Sequence, residues 1–148
     1  MGNNPSTDSW QRSIVLPSER GSSRLVTDDL LEQMGLFGWS PEQIFAVHLA
    51  AEEALVNAAV HGNRLDLSKR VHVDCYVSAQ LIRLTVTDEG PGFKPEAIPD
   101  CTLADRLECA SGRGVMLMRS FMNRVEYNAK GNSVVLEKCR EASLPDAL

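Results

Sequence analysis

The sequence has no run of Lys or Arg that would mark a stripe for nucleic acid or a membrane surface, and its formal net charge is -5. A nucleic-acid binder would carry a basic patch, so direct contact with nucleic acid is not expected. No uninterrupted apolar stretch reaches membrane-spanning length, which argues against a membrane partner. Residues Met1 to Ser9 are polar and lack the apolar centre of a signal peptide. The four cysteines, Cys75, Cys101, Cys109 and Cys139, form no C-x-x-C and stand near no histidine pair at zinc spacing. A chain of 148 residues, 43% of them hydrophobic, can bury a core without disulfide staples, so four reduced thiols are expected. These absences leave a single domain with the cytoplasm as its expected address. Residues 1–10 read as a disordered lead-in, 11–140 as the domain and 141–148 as a tail.

What is present is periodic. Ile14, Val15 and Leu16, ended by Pro17, form a short edge strand. After Ser22 and Ser23, either of which can cap a helix, Leu25, Val26, Leu30, Leu31 and Met34 recur at helical intervals up to Gly35–Gly38. Ser40-Pro41-Glu42-Gln43 opens a second helix, with Ser as N-cap, Pro at the first position and Gln as capping-box partner. Ala, Leu and Glu carry it to Gly62. From Val71 the period becomes two: Val71, Val73, Cys75 and Val77 face one way, His72, Asp74 and Tyr76 the other. A turn near Ala79-Gln80 leads to a strand over Leu81 to Thr87, giving a hairpin. Pro91 to Ser111 reads as a long loop, which in a compact domain is often a functional lid. A helix from about Gly114 to Phe121 follows, then strands over Arg124 to Tyr127 and Ser133 to Lys138. Hairpins outnumber helix crossovers, so the fold class is α+β: a two-layer sandwich of a mixed, mostly antiparallel sheet with helices on one face.

Three features carry chemistry. Glu53, Asn57 and His61 lie at i, i+4 and i+8 on a helix otherwise apolar nearly all round, with small Ala46 and Ala50 on the same stripe. A buried carboxylate and amide need partners, which a ligand with a hydrated metal or ordinary neighbouring loops would equally supply. Glu52 points elsewhere and is expected to be solvated. Asp88-Glu89-Gly90-Pro91-Gly92 places a carboxylate at a strand end beside glycines that let the backbone approach a ligand; taken alone it is equally a common turn. Ser111-Gly112-Arg113-Gly114-Val115 precedes a helix, where free N–H groups and the helix dipole favour phosphate and Arg113 adds charge; taken alone it is a glycine-rich helix start with a surface Arg.

In this order the three sets resemble the GHKL ATPase superfamily, with its Asn-bearing helix, D-x-G-x-G turn, lid and G-x-G turn. Glu53 to Gly62, and Gly112 to Arg119 continuing to Gly131-Asn132, are similar to the bacterial anti-sigma-factor serine/threonine kinases. The resemblance implies a Bergerat-type ATP-binding fold binding ATP and magnesium, over about residues 12–138. It implies that Asn57 ligates magnesium and that Asp88 reads the adenine amino group. Gly90, Gly92, Gly112 and Gly114 would shape the pocket and lid, with Arg113 and Val115 in the same turn. It implies Glu53 as general base on a protein hydroxyl, chemistry that needs positioning, charge neutralisation and a proton acceptor. The implied partners are a small antagonist protein as substrate and a sigma factor as an alternative binding partner. Relatives are often homodimers, a point on which these residues are silent.

Two functions therefore compete: a protein serine/threonine kinase in partner switching, and a non-catalytic ATP-binding module that sequesters a partner. Glu53 favours the first, since a pure binder needs no base. About forty residues precede the Asn-bearing helix, fewer than a histidine phospho-acceptor domain needs, and His48 lies within that helix as a packing residue. His61 at the helix end is expected to meet terminal carbonyls rather than phosphate. His72 is expected to face solvent, and Met116, Met118 and Met122 to pack in the core.

Overall fold

The computed structural model of the protein describes residues 8–92 and 110–140, the latter with side chains from residue 116 onward. The strands are β1 (Ser9–Pro17), β2 (Arg70–Ser78), β3 (Leu81–Thr87), β4 (Arg124–Tyr127) and β5 (Ser133–Cys139). The helices are α1 (Arg24–Leu36), α2 (Pro41–Val56) and α3 (Ala110–Phe121), and a π turn, Asn57–Gly62, continues α2. The strands form one sheet in the order β1-β2-β3-β5-β4, every neighbour antiparallel, with the helices on one side.

The alternation read from the sequence sets this layering. Val71, Val73, Cys75 and Val77 are buried, as are Ile82, Leu84 and Val86 beside them and Val134 and Leu136 beyond. They meet Val26, Leu30 and Met34 of α1, Val47, Ala50, Ala51 and Ala54 of α2, and Met118 of α3. The outer face carries cross-strand polar pairs such as Arg83–Glu137 at 2.9 Å. Helix ends follow their local signals. Ser40 and Gln43 form the reciprocal capping box. At the end of α1, Trp39 N–H donates to Met34 O and Gly38 N–H to Gly35 O, with Gly38 at φ +87°. This is the Schellman arrangement that glycine permits.

Several expectations are corrected. The first strand begins at Ser9, inside the expected disordered lead-in, because its whole length pairs with β2 from Ser9↔Ser78 to Pro17↔Arg70. The rest of that lead-in, the lid over 93–109 with Cys101 and Cys109, and the tail lie outside the described residues. Cys75 and Cys139 are free thiols. Ser23 does not cap α1; its hydroxyl donates to both Glu52 oxygens, at 3.0 and 2.8 Å, so Glu52 is held rather than merely solvated. Helix α2 is not buried all round, since Phe45 and Val56 are exposed. Met118 and Met122 are core residues, but Met116 is exposed, on the face of α3 turned from the sheet.

Candidate functional site

The Asn-bearing helix changes form where the chemistry was expected. Regular α geometry stops at Val56, and Asn57 opens a π turn closed by Asn63 N–H to Ala58 O at 2.8 Å. A wider turn alters the angular step between side chains, so Glu53 and Asn57 are half-buried on the inner side whereas His61 is exposed. The exit is tight: Arg64 and Leu65 both take positive φ, 55° and 57°, which costs a non-glycine residue roughly 1–2 kcal/mol. Asn63 holds the chain there. Its side chain is buried, donates to Ser18 Oγ and Arg70 O at 2.9 Å each, and accepts from Glu89 N–H at 2.8 Å.

That last bond joins the helix end to the Asp-Glu-Gly-Pro-Gly turn. Asp88 is buried, and its Oδ1 accepts from Gly90 N–H at 2.8 Å. Burial raises its carboxyl above the ordinary value, opposed by the Gly90 bond and the charges of Lys130 and Lys69. Two glycines make the approach feasible. A Cβ on Gly62 would stand 2.4 Å from Asp88 Oδ2, and one on Gly90 would stand 2.0 Å from Gly62 O. Gly92, at φ +83°, would place a Cβ 2.0 Å from Lys130 O. The turn between β4 and β5 completes the support: Asp88 N–H donates to Asn132 O and Asn132 Nδ2 to Asp88 O. Glu89, beside Asp88, accepts from Arg70 N–H and pairs with His72 at 2.8 Å, contacts that hold its carboxyl low. His72 is thus outward-facing but partnered.

Tyr127 was not foreseen. It ends β4 opposite Val134, a buried residue, and so points toward the helices. Its phenol hydrogen-bonds the Asn57 side chain and is pushed up to about 12 by burial, with Arg119, Asp88 and Asn57 as lesser influences. Asn63 and Asn128 were likewise missed, and Asn132 was named only as the end of the resembling segment. Asn128 Oδ1 accepts from the N–H groups of Gly131, Asn132 and Ser133, shaping the turn against Asp88.

The Gly112–Gly114 turn is a correction. Helix α3 already begins at Ala110, so Gly112 and Gly114 lie within it. Glycine removes no backbone hydrogen bond, so it does not prevent a helix from starting earlier. The N–H groups of 110–112 still lack acceptors within the helix, which keeps the Gly112 N–H available to an anion, while those of Arg113 and Gly114 are inside. Of residues 110–115 only the backbone is described, so the side chains of Arg113 and Val115 lie outside the described residues.

Among the described residues no three His, Cys, Asp or Glu gather as a metal cage. Magnesium keeps several waters and asks for few protein oxygens, so the single amide of Asn57 beside Glu53 fits that ion better than it would zinc or calcium. No helix among the described residues is long and apolar enough to cross a membrane.

An antiparallel sheet backed by helices, a polar helix end and a glycine turn packed on a buried aspartate define a nucleotide-binding domain. Residues 16–138 match the histidine kinase-like ATPase domain. The chain is 33% identical over 103 residues to the anti-sigma F factor of Clostridium perfringens, covering 66% of this chain and 73% of that one. It is 31% identical over 112 residues to the anti-sigma F factor of Geobacillus stearothermophilus, covering 70% and 75%. Its fold resembles the solved RsbU and RsbW domains of a Mycobacterium tuberculosis protein, with TM-score 0.60 and 19% identity over 87% of this chain and 32% of that one. The chain belongs to the histidine kinase-like ATPase family, as a GHKL anti-sigma-factor kinase-like protein.

Proposed function

We propose that the protein is an ATP-dependent serine/threonine kinase acting in the cytoplasm on a small antagonist protein, in a partner-switching circuit that controls a sigma factor. The reading is carried by Glu53, a half-buried carboxylate one helical turn before Asn57. Among the described residues it has no hydrogen-bond or ion-pair partner, which suits a base awaiting a substrate proton. The names of the relatives, anti-sigma F factors, support the regulatory setting.

In this reading Asp88 accepts from the adenine amino group, and Gly90 and Gly92 let the backbone lie close to the base. The first-turn N–H groups of α3, with Arg113 and Val115, contact the phosphates, and Asn57 presents an oxygen to magnesium. Magnesium would neutralise charge on the phosphates. Glu53 takes the proton as the substrate hydroxyl oxygen bonds to the γ-phosphorus; the bond to the bridging oxygen breaks and ADP leaves.

Substituting Glu53→Gln should lower phosphate transfer from labelled ATP to an antagonist protein by about 100-fold or more while leaving ATP affinity within about twofold. Unchanged transfer would remove Glu53 as base. No transfer by the unaltered protein, with ATP bound and the sigma factor captured, would favour the sequestering module instead.

A further inference from the structure

The last ladder pair of β3 and β5 is Thr87↔Ser133, so Asp88 lies one residue past the end of that pairing. Its main chain is nonetheless held on both sides by a single residue. Asp88 N–H donates to Asn132 O at 2.8 Å, and Asn132 Nδ2 donates to Asp88 O at 2.9 Å. The second bond requires the Asn132 amide to face Asp88 with its nitrogen, since its oxygen would meet another acceptor there. Asn128 sets that choice. Its Oδ1 accepts from the N–H groups of Gly131, Asn132 and Ser133 at 2.8, 3.0 and 3.2 Å, which fixes its own amide. Its Nδ2 is thereby turned to donate to Asn132 Oδ1 at 2.9 Å. The bonds run in one direction, from Asn128 through Asn132 to the Asp88 backbone. On the side chain, Gly90 N–H donates to Asp88 Oδ1 at 2.8 Å, and among the described residues no hydrogen bond engages Oδ2.

We propose that Asn128 is a positioning residue that sets the base specificity of the pocket: by orienting Asn132 it holds the Asp88 carboxylate where it takes a 6-amino purine and refuses a 6-oxo one. The inference rests on Asp88 reading the adenine amino group. An ionised carboxylate only accepts, so a 6-amino group opposite it is a matched donor, whereas a 6-oxo oxygen is a second acceptor. A 6-oxo purine still carries a donor at N1, one ring position along the same edge. A carboxylate free to shift follows that donor and binds either base. One whose backbone is bonded on both sides stays with the first. Asp88 is only 8% exposed, so water does not relieve the mismatch. Discrimination of this kind comes from buried polar groups left without a partner, and it lasts only while they are held in place.

The test is calorimetric titration with ATP and with inosine triphosphate, which differs from ATP only along that edge of the base. The quantity read is the ratio of the two affinities, which should favour ATP in the unaltered protein; no preference there would overturn the proposal. Asn128→Asp keeps an oxygen for the three N–H groups of the turn but has no donor for Asn132 Oδ1. The Asn132 amide then turns its nitrogen to the new carboxylate and its oxygen to Asp88 O, and the bond to Asp88 is lost. Asn128→Asp should lower the ratio about tenfold, the worth of one well-placed hydrogen bond. Asn132→Ala should do the same, and Asn128→Asp should change nothing further in that background. Equal weakening of both nucleotides would make Asn128 merely structural and overturn the proposal, as would an unchanged ratio where Asp88→Asn lowers it. If Asp88→Asn itself leaves the ratio unchanged, the adenine reading of Asp88 has failed, and the proposal with it. A second measurement needs no folded variant: in the unaltered protein the Asn132 side-chain proton facing Asp88 O should exchange with solvent about tenfold or more slower than in a free amide, read by NMR. Exchange at the free rate would overturn the proposal.

Discussion

The backbone of Gly62 lies flat against the carboxylate of Asp88, so close that a Cβ would come within 2.4 Å of Oδ2 and 2.5 Å of Cγ. The end of the Asn-bearing helix and the aspartate turn are thus one packed unit, and each glycine in it has its own consequence. At Gly62 the obstructing group is the end of a side chain, which can rotate. Gly62→Ala should therefore displace Asp88, weakening ATP binding about tenfold or more, while costing less than about 1 kcal/mol of stability. At Gly90 the obstruction is the Gly62 carbonyl, 2.0 Å away, which cannot rotate aside. Gly90→Ala should cost on the order of 1–3 kcal/mol in urea unfolding, because backbone must move. Equal stability losses at the two positions would contradict this distinction.

Burial raises the Asp88 carboxyl above its ordinary value, opposed by the Gly90 hydrogen bond and the charges of Lys130 and Lys69. Its folded value exceeds its unfolded one, so the stability linked to its proton is fully present below the unfolded value and is lost as pH climbs through the folded value. An adenine amino group donates to the ionised form. ATP affinity should accordingly fall as pH drops through the raised Asp88 value, and calorimetry between neutral pH and the carboxylate range will show it. Asp88→Asn should flatten that dependence and weaken ATP by about tenfold to 100-fold at neutral pH, the worth of a charge-assisted hydrogen bond. The variant should be no less stable than the parent at that pH, since it removes a buried charge.

Asn63 makes three hydrogen bonds from a position 1% exposed. Asn63→Ala orphans Arg70 O and Glu89 N–H and releases the restraint on Arg64 and Leu65. A loss of about 3 kcal/mol in chemical unfolding is expected. ATP affinity should fall with it, because the Glu89 N–H bond is what couples the helix end to the aspartate turn. A near-neutral result would mean that the positive-φ pair is held by something else.

The β2–β3 hairpin, the α2 cap and the end of α1 were legible because their causes are local. A two-residue period, a Ser-Pro-Glu-Gln start and a glycine after Met34 act within a few residues of themselves. Asp88 and Asn57 were legible as a pair of motifs. Their supports were not, because Tyr127, Asn63 and Asn132 gain their partners only after the chain has closed, however plain the strand or glycine beside them is in the sequence. Tyr127 read simply as a strand residue. The orientation of β4 against a buried Val134 turned it to the helices and to Asn57. Glu52 and Ser23 are 29 residues apart and meet only because α1 packs on α2.

The sequence by itself determined that this is an α+β domain with hydrophobic and polar strand faces assigned, and that an Asn-bearing helix, an aspartate turn and a glycine pair occur in that order. Short-range sterics and hydrophobic alternation suffice for those statements. Only the tertiary structure decided that the helix opens into a π turn at Asn57 and that α3 starts before the Gly112–Gly114 pair. It also decided that Gly62 is a contact surface for Asp88 rather than a mere stop. Each of these depends on atoms brought together from distant parts of the chain, where packing overrides local preference.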